Sequence, residues 1–219
     1  MILVKPSHKI LTYTPLALQT IEFAGRTCYK SEDKITEDSA EKFVKMITGK
    51  GHHSVIEHAV VTVKIICDRG VSHEIVRHRL ASYSQESTRY CNYKGGVTFV
   101  IPPWTDFNEG EYSSESENYW TVKPDAMSEA QWLWWCACMD AEEKYIYLLN
   151  CGWSPQQARS VLPNSTKTEI VITANIREWR HIFTLRCNKA SHPQMNEVMR
   201  PLHQEMKRLI PIIFDAIVY

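Results

Sequence analysis

The run Ala59-Val-Val-Thr-Val-Lys-Ile-Ile-Cys67, closed by Asp68-Arg-Gly70, decides the fold class. It is short, dense in β-branched residues and ended by a turn signal, so it reads as a buried strand. Upstream, Leu16 to Tyr29 and Glu37 to Ile47 carry apolar residues at helical spacing, and Gly49-Lys-Gly51 breaks the chain before the strand. Downstream, Ser72 is placed to cap a helix from His73, with Glu74 in its first turn. Thr168-Glu-Ile-Val-Ile-Thr-Ala174 reads as another strand, and Asn175 as the cap of a helix carrying Arg177 to Arg186. The expectation is an α+β fold: a mainly antiparallel sheet flanked by several helices.

The remaining segments fill in that outline. A short strand starts at Ile2, and Gly95-Gly96 with Val97 to Ile101 reads as turn and strand, ended by Pro102-Pro103. Residues 106–118 are acidic and polar, which predicts a solvated surface loop. Ser128 to Asn150 reads as a long helix stopped by Gly152, and Ser154-Pro155 opens a short helix that ends before Pro163. The last helix begins near Pro193, and Pro201 is expected to bend it. Its residues Met195, Met199, Leu202, Met206, Leu209 and Ile213 form a heptad stripe, a packing face either inside the core or between subunits. No composition shift marks a boundary, so residues 1–219 are expected to form a single domain.

Composition narrows the function. The chain has 219 residues, 44% hydrophobic and 23% charged, which excludes disorder, coiled coil and collagen. Lys+Arg and Asp+Glu each total 25, so net charge is zero. A nucleic-acid polymer would select a basic excess, and any anionic partner is therefore expected to be small and locally bound. The longest strongly apolar run outside the C-terminus, Trp132 to Met139, falls short of the roughly 20 residues a membrane span needs. The amino terminus lacks the pattern of a signal peptide, and the expectation is a cytoplasmic protein without membrane attachment. Seven cysteines at 28, 67, 91, 136, 138, 151 and 187 show no paired spacing, and most read as reduced, buried apolar groups. One catalytic cysteine stays open at this point.

Three arginines crowd into Arg77-His78-Arg79-Leu-Ala-Ser82-Tyr-Ser84-Gln85-Glu86-Ser87-Thr88-Arg89, and others stand at Arg159, Arg177, Arg180 and Arg186. Guanidinium forks suit phosphate and planar heterocycle edges, and the hydroxyls and a turn here would add neutral donors. The plainer alternative is a salt-bridged helix end. Metal chemistry is not indicated: His73 and His78 are five apart, about 140° around a helix, and cannot easily share one ion. His52, His53, Glu57 and His58 would make a site only if that segment is irregular. There is no Gly-x-Gly-x-x-Gly and no Walker loop, so any dinucleotide binds outside a Rossmann unit.

Arg77-His78-Arg79, seven residues, then Ser87 is the signature of the flavin-dependent thymidylate synthases, and the chain resembles that family along nearly its whole length. The match continues through Gly51-His52 with Glu57-His58, Ala158-Arg159-Ser-Val-Leu-Pro163, Asn175-Ile-Arg177, and Leu185-Arg186 ahead of Ser191-His192. The resemblance implies conversion of dUMP to dTMP with FAD, NADPH and methylenetetrahydrofolate, in a homotetramer whose active sites lie between subunits. It implies flavin contacts from Ser54, Arg77, His78, Arg79, Gln85, Asn175, Ile176, Arg177 and His181. It implies dUMP contacts from Glu74, Ile75, Val76, Arg77, Gln85, Glu86, Ser87, Thr88, Arg89, Arg159 and Arg186, and no metal. Arg186 would face the pyrimidine as the catalytic residue and favour loss of its N3 proton, while His52 would lie near the flavin. The chain departs from the commoner family pattern at Glu74 (often Gln), Ser84 (Asn), Gln85 (Glu) and His181 (Asn), and by a local insertion after Arg186.

Overall fold

A computed structural model describes residues 1–113 and 123–219. In chain order the elements are β1 (Ile2–Val4), β2 (Ser7–Tyr13), α1 (Ala17–Thr27), α2 (Ser39–Gly49), β3 (Val60–Asp68), α3 (Arg69–Ile75), β4 (Ala81–Gln85), β5 (Thr98–Val100), β6 (Gly110–Glu111), α4 (Glu129–Asn150), α5 (Pro155–Ala158), β7 (Lys167–Asn175), α6 (Ile176–Arg186) and α7 (Pro193–Leu209). The mixture of helices and sheets is the expected α+β class. Part of the predicted loop 106–118 falls outside the described residues, and within the rest Gly110–Glu111 pairs as β6. Among the described residues no helix is long and apolar enough to cross a membrane.

Residue contacts group the chain into two units. One comprises Met1–Ser7, Ile66–His73 and Gln85–Ile170, the other His8–Ile65, Glu74–Ser84 and Val171–Tyr219.

In the first unit β1 pairs in parallel with β5, Leu3 opposite Phe99, and antiparallel with β6. Helix α4 supplies much of the core there: Trp135, Cys136, Cys138, Met139 and Tyr145 are buried in one cluster with Leu3, Val97 and Phe99. Its start is fixed locally, because the Ser128 and Gln131 side chains each accept the other residue's backbone N–H.

The second unit holds most of a four-stranded sheet ordered β2-β3-β7-β4. Thr14 N–H donates to the Val60 carbonyl and Ile176 N–H to that of Ala59. The Thr62 and Thr173 hydroxyls meet at 2.9 Å, and these contacts together make β3 antiparallel to both β2 and β7. Val61, Val63, Ile65 and Cys67 are buried while Val60 is 42% exposed, so β3 is covered mainly on one face rather than buried throughout. Gly25 on α1 admits α2: a Cβ there would lie 2.6 Å from the Phe43 ring. The α7 stripe belongs to this core. Met195, Met199, Leu202, Met206 and Ile213 are almost fully buried inside the chain, and only Leu209 retains exposure. The helix continues through Pro201.

One local reading needs correction. Helix α3 starts at Arg69, not His73. Asp68 Oδ1 accepts the Val71 N–H at 2.6 Å and does the capping, while Ser72 lies inside the helix with its hydroxyl donating to the Arg69 carbonyl. Within the Arg77 to Arg89 run residues 81–85 extend as β4, and a turn comes at its end, where Tyr90 and Cys91 N–H groups donate to the Ser87 carbonyl.

Candidate active site

Residues 77–79 follow α3, and Arg186 ends α6, whose start is fixed by Asn175 Oδ1 accepting the Glu178 N–H at 2.9 Å. Those two local events bring together side chains 108 positions apart. The Arg186 Nε–H donates to His78 Nε2 at 2.9 Å, Nη1 to the Glu74 carboxylate at 2.7 Å, and Nη2 to the Glu74 carbonyl at 3.1 Å. A guanidinium has five N–H groups, so two remain for a ligand, one on Nη1 and one on Nη2.

His78 is buried, and burial, followed by the Arg186 charge and the neighbouring His181, holds its pKa down at about 4. It is therefore neutral. Because Nε2 accepts from Arg186, the proton sits on Nδ1, which faces the buried Glu178 carboxylate at 3.6 Å. His181 packs edge-on against the ring at 5.6 Å between centroids. The Tyr83 hydroxyl lies 2.6 Å from the His78 carbonyl and 3.0 Å from that of Ile75, clasping the turn that presents the histidine. Burial and the Glu178 charge push that phenol up to about 12, so it remains a donor.

This contact joins two clefts. On the His78 side, a cleft of about 700 Å³ gathers Arg77, His78, Arg79, Asn175, Arg177 and His181. Among the described residues Arg77 and Arg79 have no ion-pair partner, whereas Arg177 pairs with Glu57. On the Arg186 side, a second cleft of about 820 Å³ is lined by Glu74, Arg186, Asn188, Ser191 and His192.

Six of the nine expected flavin residues thus share one cleft. The other three do not line it. Ile176 is fully buried and its N–H is engaged by the Ala59 carbonyl. Ser54 lies on the exposed side of a 3₁₀ turn, His53–His58. The Gln85 amide donates inward to the Ser72 and Thr168 hydroxyls at 2.9 and 3.1 Å. His52 is exposed beside Gly51 and lines neither cleft.

The expected dUMP residues fall into two groups. Glu74, Arg77 and Arg186 line the clefts just described, while Ile75 is buried in the core and Val76 is exposed beside it. In the first unit, Arg159 Nη1 donates to the buried Thr88 hydroxyl at 3.1 Å, and Arg89 N–H to the Ser87 hydroxyl at 3.3 Å. Glu86 is engaged by Tyr93 and Lys167. Such a cluster of guanidinium and hydroxyl donors suits a phosphate monoester.

His78, Glu178 and His181 bring potential metal-ligating atoms within 4.8 Å of one another. Neither nitrogen of His78 offers a lone pair there, since Nε2 is engaged by Arg186 and Nδ1 bears the proton. Glu57 of the histidine-rich segment turns to Arg177 instead. Glu178 and Tyr83 are the site residues that sequence reasoning missed. Glu178 and His181 stand three apart on a helix, a spacing that could have flagged the former; nothing in the sequence marks Tyr83.

The cysteines stand apart from this chemistry. Cys67, Cys138 and Cys187 are buried, and burial pushes each thiol up to about 12.

The family model described as thymidylate synthase complementing protein matches residues 9–212. A flavin-dependent thymidylate synthase of Geobacter sulfurreducens is 34% identical over 213 residues, covering 94% of this chain and 84% of that protein. One from Pyrococcus furiosus is 32% identical, covering 91% of this chain and 78% of that protein. Among solved structures, the UMP/dUMP methylase PolB of Streptomyces cacaoi, bound with 5-Br dUMP, matches with a TM-score of 0.78 at 25% identity, covering 99% of this chain and 96% of PolB.

Proposed function

The chain belongs to the flavin-dependent thymidylate synthases, and from that premise we propose that it converts dUMP to dTMP in the cytoplasm, taking carbon from methylenetetrahydrofolate and electrons from NADPH. The observation that carries this reading is the anchored Arg186, fixed at three N–H groups with two left over beside an open cleft.

The flavin supplies the hydride chemistry when bound, and the rest of the work is binding, orientation and polarisation by the protein. The cleft fits such a group: Arg77 and Arg79 present unpaired cations to a pyrophosphate, and Asn175, Arg177 and His181 add polar atoms around it. Ser87, Arg89 and Arg159 supply the donors for the nucleotide phosphate, each charge-assisted bond contributing about 1.5–3 kcal/mol. The spare N–H groups of Arg186 would stabilise negative charge developing on the pyrimidine. Each unit by which the N3 pKa falls corresponds to about 1.4 kcal/mol of preferential binding of the anion.

Glu74 works against part of this, because its carboxylate lies 2.7 Å from the same guanidinium. The Glu74 side chain is 40% exposed and Arg186 only 19%, so solvent screens the carboxylate more than it screens the cation. The homotetramer with shared sites belongs to this reading on the strength of the resemblance alone, since the α7 stripe is used inside the chain.

Anaerobic turnover of dUMP with NADPH and methylenetetrahydrofolate, followed by release of tritium from uracil C5, tests the proposal. The purified protein should be yellow, absorbing near 450 nm. UMP is the competing substrate to run in parallel, because the PolB structure is that of a UMP/dUMP methylase. No tritium release from dUMP would refute the assignment.

A further inference from the structure

Glu178 has no place in the family signature; it lines the inner wall of the His78 cleft, is only 6% exposed, and faces the histidine that holds Arg186. Three facts define its situation. The Arg186 Nε–H needs an acceptor, and His78 Nε2 is that acceptor at 2.9 Å. The remaining ring nitrogen, Nδ1, faces Glu178 Oε1 at 3.6 Å. A neutral imidazole carries one proton, so a carboxylate at Nδ1 favours the single tautomer whose Nε2 lone pair is directed at the guanidinium. Helix α6 sets the spacing, because Glu178 lies in its first turn and Arg186 in its last.

We propose that Glu178 is a positioning residue for the reaction on dUMP: it holds the His78 ring and its tautomer, and through them the plane of the Arg186 guanidinium. The inference rests on the function proposed above. Glu74 fixes Nη1 and Nη2, but both of those contacts come from one residue at one edge of the fork. The His78 contact supplies the third point, which turns a hinged guanidinium into a fixed plane. Without Glu178 the imidazole is free to rotate or to move its proton to Nε2, where it would oppose the Arg186 Nε–H donor to donor.

Two substitutions separate positioning from a general structural role. Glu178→Gln keeps an oxygen facing Nδ1–H, and Glu178→Ala removes it. The expected result for Glu178→Ala is a kcat for dTMP formation at least tenfold lower, with KM for dUMP changed less than threefold. Glu178→Gln should restore kcat to within about threefold of the unaltered protein. The second readout needs neither flavin nor turnover. Imidazole ¹⁵N signals of the flavin-free protein should report one tautomer of His78, protonated on Nδ1, in the unaltered protein and in Glu178→Gln. In Glu178→Ala they should report exchange between tautomers. Full kcat in Glu178→Ala, a loss in Glu178→Gln as large as in Glu178→Ala, or an unchanged His78 signal in Glu178→Ala would each overturn the proposal. If the unaltered protein fails to methylate dUMP, the functional reading falls instead, and the ¹⁵N signals decide the Glu178–His78 relation by themselves. Should Glu178→Ala fail to fold, Glu178→Gln with the unaltered protein still tests the tautomer.

Discussion

Arg186 donates its Nε–H to Nε2 of His78 at 2.9 Å, so one residue expected at the nucleotide and one expected at the flavin share a hydrogen bond. The bond requires a neutral histidine, and a buried ring beside the Arg186 cation is neutral. The orientation of one of these side chains is thereby tied to that of the other.

Arg186→Lys keeps the charge but loses the planar fork and its three-point anchorage. Turnover should fall by roughly tenfold or more, about 1.4 kcal/mol of barrier lowering. Arg159→Lys, at the hydroxyl cluster with Thr88, should act mainly through KM for dUMP. Steady-state kinetics of both variants distinguish the roles, and flavin reduction by NADPH should survive in each. A full kcat in Arg186→Lys would withdraw its catalytic role.

Glu74→Gln keeps an acceptor for Arg186 Nη1 and removes the opposing charge. The cation is then less compensated, and kcat/KM for dUMP should rise by about threefold, roughly 0.7 kcal/mol, a modest gain because Glu74 is partly solvated. Glu74→Ala should instead lower it, because Arg186 loses an anchor. The pair of variants, assayed under identical salt, checks the sign.

Arg79→Ala should reduce bound flavin, read as absorbance near 450 nm per mole of purified protein. Folding should be nearly normal, since the side chain is exposed and pairs with no carboxylate among the described residues. A fully yellow variant would remove Arg79 from the flavin site.

Thiol chemistry should be dispensable. Single Cys→Ala or Cys→Ser changes at all seven positions should each leave dTMP formation in place, with any losses at buried positions appearing as lowered Tm. A thiol reagent should modify the exposed Cys28 and Cys151 in the native protein well before the buried Cys67, Cys136, Cys138 and Cys187. Loss of turnover at one position with flavin and dUMP binding intact would contradict the mechanism.

The His78 pKa predicts the sign of an acid-side effect. Its folded value of about 4 lies below the ordinary 6.5, so between those values the unfolded chain binds more protons than the native one. The stabilising contribution is complete above pH 6.5 and is lost as the pH falls toward 4. Thermal unfolding measured across that window should show a smaller acid-side loss of Tm in His78→Gln than in the unaltered protein.

Much of this molecule is legible locally. Ser128 with Gln131 and Asn175 with Glu178 mark helix starts within four residues, and the β-branched runs at 59–67 and 168–174 mark strands, because capping and periodicity act over one turn or one pleat. The spacing of Arg77, His78, Arg79 and Ser87 is enough to indicate the family. What covers each face is not local information. The same heptad stripe on α7 serves a subunit interface or a core equally well, and only the folded chain around Met199 and Leu202 decides for the core. The start of α3 passes from Ser72 to Asp68 because the better acceptor lies four residues earlier, at the end of β3. The five-residue β4 forms because β7 offers it a partner. Ile176 sits inside a recognisable motif yet turns into the core. The Arg186–His78–Glu178 chain joins residues 100 and more positions apart with single donors and acceptors. A sequence lists those groups, but only tertiary packing decides which lone pair meets which proton.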